Sequence, residues 1–103
     1  MSWATVGLVN DPEKDAILAD TGSIALAATL NVTIIISTQY AARAVIVLRD
    51  AQNTTDVGKQ LIHTASDHPA TFMGMNVPLS TNQRLVIRAE SAMIGEVQAS
   101  ILW

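Results

Sequence analysis

The chain has 103 residues, which limits it to one compact domain. It has 6 basic and 9 acidic residues, and the basic residues form no run that would predict a nucleic-acid partner. It contains no cysteine, which excludes disulfides and thiolate metal sites. Only 15% of the residues are charged, against about 25% in typical soluble domains, so part of the surface is expected to meet other protein. The alternative is that the plentiful Ser, Thr, Asn and Gln side chains solvate the surface instead.

The first 20 residues combine a short apolar segment with a polar cluster. Trp3–Val9 is predicted as a short strand or an arm, and a turn-forming stretch of Asn, Asp and Pro follows it. Pro12 could open a short helix over Lys14–Ala19, and a strand over Ala16–Ala19 is the equal alternative. No secretory signal is recognisable here, so the protein is expected to be made in the cytoplasm.

The middle of the chain is rich in β-branched residues and predicts strands separated by polar turns. Ser23–Thr38 is assigned strands on both sides of Asn31, which would mark a turn or a bulge. Ala42–Arg49 follows as a strand, and its uninterrupted apolar run predicts that both of its faces are covered. Val57–Thr64 and Thr71–Asn76 are two further strands. The longest apolar region is too short and too interrupted to span a bilayer, which needs roughly 20 residues.

The C-terminal stretch carries the clearest periodic pattern. Positions 97, 99, 101 and 103 are apolar and alternate with polar residues, as in a half-buried strand, and Leu102 alone breaks the polar side. Leu85–Ala89 also alternates, and we expect it to pair with this strand as an antiparallel hairpin.

Strands of this length, separated by turn signals, predict an all-β fold. The expected architecture is an antiparallel β-sandwich or jelly roll of about eight short strands. It occupies a single domain over residues 1–103, with residues 1–20 as a candidate N-terminal arm and a short helix as an option near the N-terminus.

Residues that could carry chemistry are few. His63 and His68, with Asp67 beside the second, could ligate zinc or iron, but they form no tight metal-binding motif. The acidic stretch between Asp11 and Asp20 lacks the spacing and central glycine of an EF-hand loop and predicts a solvated loop. We therefore predict no catalytic residue, no cofactor and no metal site, and a protein that is not an enzyme.

Four large apolar side chains are candidates for an interface between chains. Trp3 lies near one end with few apolar neighbours, and docking on a partner subunit is as plausible for it as local packing. Met73 and Met75 are two residues apart and share one face of a strand, where adaptable methionines suit a contact between chains. Trp103 is the fourth candidate, although core filling is the simpler interpretation for it and for Phe72.

Several segments resemble small virion-associated proteins of tailed bacteriophages. They are a loop with the sequence Arg49-Asp-Ala-Gln-Asn-Thr-Thr, a strand with Gln60-Leu-Ile-His, and the two stretches Asn82-Gln-Arg-Leu-Val-Ile-Arg and Gly95-Glu-Val-Gln-Ala-Ser-Ile-Leu-Trp. The resemblance covers roughly residues 25–103. It implies a small β-sandwich, often trimeric, that decorates or cements a capsid or forms part of a head fibre, with a binding role and no chemistry.

These observations lead to one hypothesis and two rivals. The leading hypothesis is a non-enzymatic virion protein that forms a homo-oligomer, expected to be a trimer, and binds the major capsid protein or another virion protein, without nucleic acid or membrane. One rival is a carbohydrate- or receptor-binding module of a fibre or tail, which requires exposed aromatic residues in a groove. The other is a small cupin-like enzyme, for which two histidines are too few.

Overall fold

The computed structural model describes residues 2–25, 27–40, 42–50, 52, 56–64 and 70–103, and at positions 42, 59–64 and 70–73 it describes the backbone only. This part of the chain forms β-strands and no helix. The nine strands are β1 Trp3–Ala4, β2 Val9–Asn10, β3 Ile17–Asp20, β4 Ala28–Thr38, β5 Ala42–Arg49, β6 Asp56–Thr64, β7 Ala70–Leu79, β8 Arg84–Ala89 and β9 Glu96–Leu102.

The strands form two antiparallel sheets that pack together, which confirms the predicted all-β class and β-sandwich. The five-stranded sheet has the order β1-β9-β4-β7, and β2 also pairs with β9. The four-stranded sheet has the order β3-β8-β5-β6. The strands number one more than the eight expected, because the N-terminal stretch contributes two strands of two residues each. The jelly-roll connectivity stays a prediction.

Aliphatic side chains fill the space between the sheets, since the chain has few aromatic residues to use there. β5 has the predicted bounds, and its residues 44–47 are all buried, so both of its faces are covered as expected. In β9 the alternation also holds, with residues 97, 99 and 101 buried. The main contributors to the core are Leu18, Val32, Ile34, Ile36, Ala44, Ile46, Leu85, Ile87, Val97, Ala99 and Ile101.

The helix that was an option near the N-terminus does not form, and the strand alternative is found instead. β3 pairs with β8, with Ile17 opposite Arg88 and Ala19 opposite Ile87. A register shift between residues 17 and 19 lets both Leu18 and Ala19 enter the core. A short helix at this edge would leave these apolar side chains without the neighbours that β8 provides.

The expected interruption at Asn31 is absent, and β4 runs without a break from Ala28 to Thr38. Asn31 is exposed and is paired in register with Asn76 on β7. Its polar side chain therefore sits on the outer side of the sheet, where an asparagine needs no turn to reach water. On either side of it, partly buried Leu30 and buried Val32 face the core, so the alternation of the strand continues through Asn31.

The predicted C-terminal hairpin is wrong in its pairing, although both of its strands form. β8 pairs with β3 and β5 in one sheet, whereas β9 pairs with β1, β2 and β4 in the other. Residues 90–95 carry the chain between the sheets. Residues 85–87 of β8 are buried on both faces of the strand, which is the environment of a central strand rather than of a hairpin at an edge.

Residues 2–20, the candidate arm, lie along one side of the sandwich. β1 and β2 add to the five-stranded sheet, and β3 belongs to the other sheet. Between them the Thr5 hydroxyl donates a hydrogen bond to the Ala99 carbonyl at 2.6 Å, and the Val6 N–H donates to the Leu18 carbonyl at 3.3 Å. The segment thus ties the two sheets together along this side.

Among the described residues, β6 and β7 are the edge strands of the two sheets on the opposite side of the sandwich, which we call the open side. A cavity of about 230 Å³ opens there. Gly58 contributes no side chain to it, so β6 leaves a gap opposite Leu48. The cavity is lined by Ile46, Val47, Leu48, Gly58, Met75, Asn76, Val77, Pro78 and Leu85.

Candidate interaction surface

Charged side chains gather on the outer side of the four-stranded sheet. Arg88 lies among three acids, with its Nη1 2.8 Å from Asp15 and 3.4 Å from Glu90. Its Nη2 is 3.4 Å from Asp56. Two further pairs, Arg49–Asp56 at 2.9 Å and Arg84–Asp20 at 3.2 Å, extend the network. We call this surface the charged face; its members are Asp15, Asp20, Arg49, Asp56, Arg84, Arg88 and Glu90.

A second, smaller apolar cluster lies beneath the charged face. Val45, Val47 and Val86 are fully buried, although they point away from the main core, and Ile17 packs against them. The Arg88 side chain is only 13% exposed, so its aliphatic stem lies down over this sheet while its guanidinium pairs with the acids. The chain therefore covers the apolar part of the charged face with its own side chains.

The outer side of the five-stranded sheet is nearly free of charge. Among its described side chains, Glu96, which pairs with Asn10 at the β2 end, is the one that carries a charge. The backbone register places residues of β1, β2, β4, β7 and β9 together on this outer side. We call this surface the uncharged face; its members are Trp3, Asn10, Thr29, Asn31, Thr33, Ile35, Ser37, Gly74, Asn76, Pro78, Glu96, Gln98, Ser100 and Leu102.

One row of residues crosses the uncharged face from edge to edge. Trp3 pairs with Leu102, Leu102 with Thr33, and Thr33 with Gly74. Trp3 is 64% exposed, so its ring stands in water. At the other end, apart from Gly74 and its two chain neighbours, no described atom lies within 4 Å of the place where a side chain on Gly74 would begin. The row therefore runs from a raised aromatic edge to a low edge without a side chain.

The four predicted interface residues do not share one surface. Trp3 lies on the uncharged face, whereas Trp103 and Met75 are partly buried and pack against the main core. The backbone of Trp103 is fixed by two hydrogen bonds with Ser2, of 2.6 and 2.9 Å. Met73 pairs in register with Ile34, and its side chain lies outside the described part of the structure. Trp3 is the one of the four whose described side chain is exposed.

Most residues of the uncharged face were not predicted from the sequence. Ile35 is 36% exposed beside Ser100, and Leu102, Thr33 and Gly74 lie in the adjoining row. One signal was available: Leu102 is an apolar residue on the polar side of an alternating strand. The rest could not be found without the pairing of β4 with β7 and β9, because the residues are far apart in the chain.

Within the described part of the chain, no group of three or more His, Asp and Glu residues could hold a metal ion. His63 pairs in register with Arg43, but its side chain, like His68 and Asp67, lies outside the description. The acidic stretch instead makes separate bonds. The Asp11 carboxylate accepts a hydrogen bond from the Gly95 N–H at 2.7 Å, while Asp15 and Asp20 pair with arginines.

A smaller apolar patch lies at one end of the sandwich. Tyr40 is 49% exposed and Ile94 is 73% exposed, and both adjoin Gly95, which precedes β9. Trp3 is paired with the other end of β9, at Leu102. Since a strand rises about 3.3 Å per residue, the two exposed aromatic rings are separated by roughly 20 Å and form no common groove.

Comparison with models of known protein families finds no match to this chain. Comparison with curated proteins finds no matching sequence either. Within the described residues, no helix is long and apolar enough to cross a membrane.

Proposed function

We propose that this protein is a non-enzymatic structural component of a phage virion, which assembles as a homotrimer and binds the capsid surface as a decoration or cement protein. The observation that carries the proposal is the difference in charge between the two outer faces of the sandwich. On the charged face, ion pairs cover the buried valines of the same chain. The uncharged face presents Trp3, Ile35 and Leu102, and Glu96 is its one described charge.

An uncharged face with an exposed tryptophan has the composition of a protein contact. The centres of protein interfaces are depleted in charged residues and enriched in aromatic ones. The apolar side chains of the uncharged face, Trp3 beside Leu102 and Ile35 nearby on β4, lie among uncharged polar residues, and grouped exposed apolar side chains mark protein contacts. The uncharged face also accounts for the low charge content of the chain, because most described ion pairs lie on the opposite side of the sandwich.

The virion setting rests on the resemblance of residues 25–103 to small phage virion proteins. A capsid offers many equivalent sites, several of them around three-fold axes. A trimer placed on such an axis binds through three sites at once, so modest contacts add up to a long-lived attachment. A symmetric oligomer also covers surface that would otherwise favour uncontrolled association.

The first prediction concerns the mass of the protein in solution. The chain has a mass of 11.0 kDa, so a trimer has three times that mass, about 33 kDa. We expect light scattering on the purified protein to give the trimer mass, because the exposed apolar side chains Trp3 and Ile35 gain by leaving water. A monomer at all concentrations would contradict the proposed assembly.

Capsid binding is tested separately by sedimenting the protein with empty capsids of the phage that encodes it. We expect it to pellet with the capsids in a fixed ratio and to remain in the supernatant without them. A glycan array tests the rival carbohydrate-binding function, for which Trp3 and Tyr40 are the exposed aromatic candidates. Glycan binding without capsid binding would overturn the proposal.

A further inference from the structure

We propose that the uncharged face is the surface through which copies of this chain bind one another, with the row Trp3, Leu102, Thr33 and Gly74 at the contact. This inference rests on the homo-oligomer of the proposed function and assigns the interface within it. The occupant of the face is thus a second copy of the chain.

The charge pattern favours a second copy over a different partner. In a symmetric oligomer, residues close to the axis meet their own counterparts, so any charge there faces an identical charge and is repelled. Described side chains of the uncharged face carry no charge apart from Glu96, which pairs with Asn10 and lies away from the row. A partner recognised by its own charges would find nothing complementary on this face.

The area of the face is sufficient for a specific contact. Its five strands hold 32 residues. At about 3.4 Å per residue and about 4.8 Å between strands, they cover roughly 500 Å² in projection. Two such faces bury about 1,000 Å² together, which is the lower limit for a specific interface. In a closed ring of three, each face is shared between two neighbours, and the three faces together bury about 1,500 Å².

The shape of the row suits such a ring. Trp3 rises at one edge of the sheet and Gly74 leaves the other edge low, three strands away. A head-to-tail arrangement places the raised edge of one copy over the low edge of the next. Trp3, which is 64% exposed in the single chain, would then be buried, as tryptophans near the centre of interfaces commonly are.

The test inserts a charge at the centre of the row. In Thr33→Lys, the new side chain lies on the central strand β4 next to Gly74, where there is space for it, so the single chain should fold. Two like charges brought to about 10 Å at an effective dielectric constant of about 20 weaken association roughly tenfold. We expect sedimentation equilibrium to show that loss for Thr33→Lys and for Thr33→Glu. Mixing the two variants should restore association in part, because a mixed ring of three holds two opposite-charge contacts and one like-charge contact.

The matched control is Val57→Lys, which adds the same charge to an exposed strand position in the other sheet. Val57→Lys should leave association unchanged. A second variant, Trp3→Ala, removes a side chain that is already in water, so the single chain should fold. It should weaken association, and it keeps the test decisive if Thr33→Lys does not fold. If the wild-type protein forms trimers that Thr33→Lys and Trp3→Ala leave intact, the assigned interface is wrong while the proposed function stands. If Val57→Lys alone dissociates them, the interface lies at the open side. A wild-type protein that is monomeric throughout overturns the homo-oligomer itself.

Discussion

Gly95 shows how a single residue fixes the passage between the two sheets. Its φ of 82° lies in the left-handed region. Residues that have a Cβ are less stable in that conformation than glycine is. A Cβ at this position would lie 2.6 Å from Gln39 Oε1 and 2.9 Å from Tyr40 Cδ2. Its N–H also donates to Asp11, so the residue cannot turn away without losing that bond. Backbone angle and space both require glycine here.

Replacing Gly95 by alanine should therefore cost more than replacing Gly22. Gly22 also has a positive φ, of 71°, but a Cβ there would meet no atom within 4 Å. We expect Gly22→Ala to lower the free energy of unfolding by about 1 kcal/mol, from the backbone angle alone. Gly95→Ala should lose about 1 kcal/mol beyond that, because the Gln39 side chain must shift and lose the hydrogen bond that the Glu96 N–H donates to its Oε1. Urea denaturation measures both, and equal losses would show that the contacts of Gly95 relax freely.

At the scale of the element, β8 is the strand on which the four-stranded sheet depends. One of its sides contributes Leu85 and Ile87 to the main core, and its other side contributes Val86 to the valine cluster beneath the charged face. Val86 is fully buried although it points outward. The outer side of this sheet thus contributes to stability as a core does, and not as a solvated surface.

Truncation of Val86 tests this directly. Removing two carbon atoms from a buried site costs about 0.8 kcal/mol for each, plus a cavity term, so Val86→Ala should lower the free energy of unfolding by about 1.5–3 kcal/mol. The matched substitution Val57→Ala, at a position 52% exposed, should change it by less than about 0.5 kcal/mol. Similar losses at the two positions would mean that the charged side chains leave the valines accessible to water.

The sequence predicted elements better than it predicted their partners. The run of apolar residues in β5 and the alternation in β9 are local properties, and each gave the right strand and the right burial. Pairing is not local: β8 and β9 follow each other in the chain but belong to different sheets. Alternation in Leu85–Ala89 suggested a hairpin, whereas burial on both sides of residues 85–87 gives β8 a central position.

The candidate interaction surface was foreseen in one residue only. Trp3 was predicted from its scarcity of apolar neighbours, and it is exposed on the uncharged face. Thr33 and Gly74 carry no signal in the sequence, because a threonine in a strand and a glycine in a strand become part of a surface only through register. The two methionines were chosen for their softness, but Met75 packs inward against the core.

At the scale of the whole molecule, the sandwich is closed on one side and open on the other. The N-terminal segment bonds to both sheets on the closed side, through Thr5 and Val6. On the open side, β6 and β7 each pair with one strand of the described part of the chain. The uncharged face lies between these two sides and belongs entirely to the sheet organised around β4 and β9. The proposed interface therefore depends on that sheet being complete.

A chain that stops at residue 95 should not fold, because β9 supplies three core residues and pairs with β1, β2 and β4. We expect circular dichroism to show an unfolded chain, while the full chain followed by an unstructured tag of equal length keeps its β signal. A cooperative unfolding transition in the shortened chain would contradict this role for β9.

The same position of β9 has a consequence for synthesis in the cell. Each partner of β9 precedes it in the sequence, so β4 leaves the ribosome long before the strand that covers one of its edges. At about 5–20 residues per second, the roughly 60 residues between them take several seconds to appear. During that interval the apolar side of β4 has no finished core to enter. Nascent chains on the same messenger RNA lie close together at this stage, and each carries the unpaired edge of β4. We therefore expect newly made protein to depend on chaperones until β9 is released.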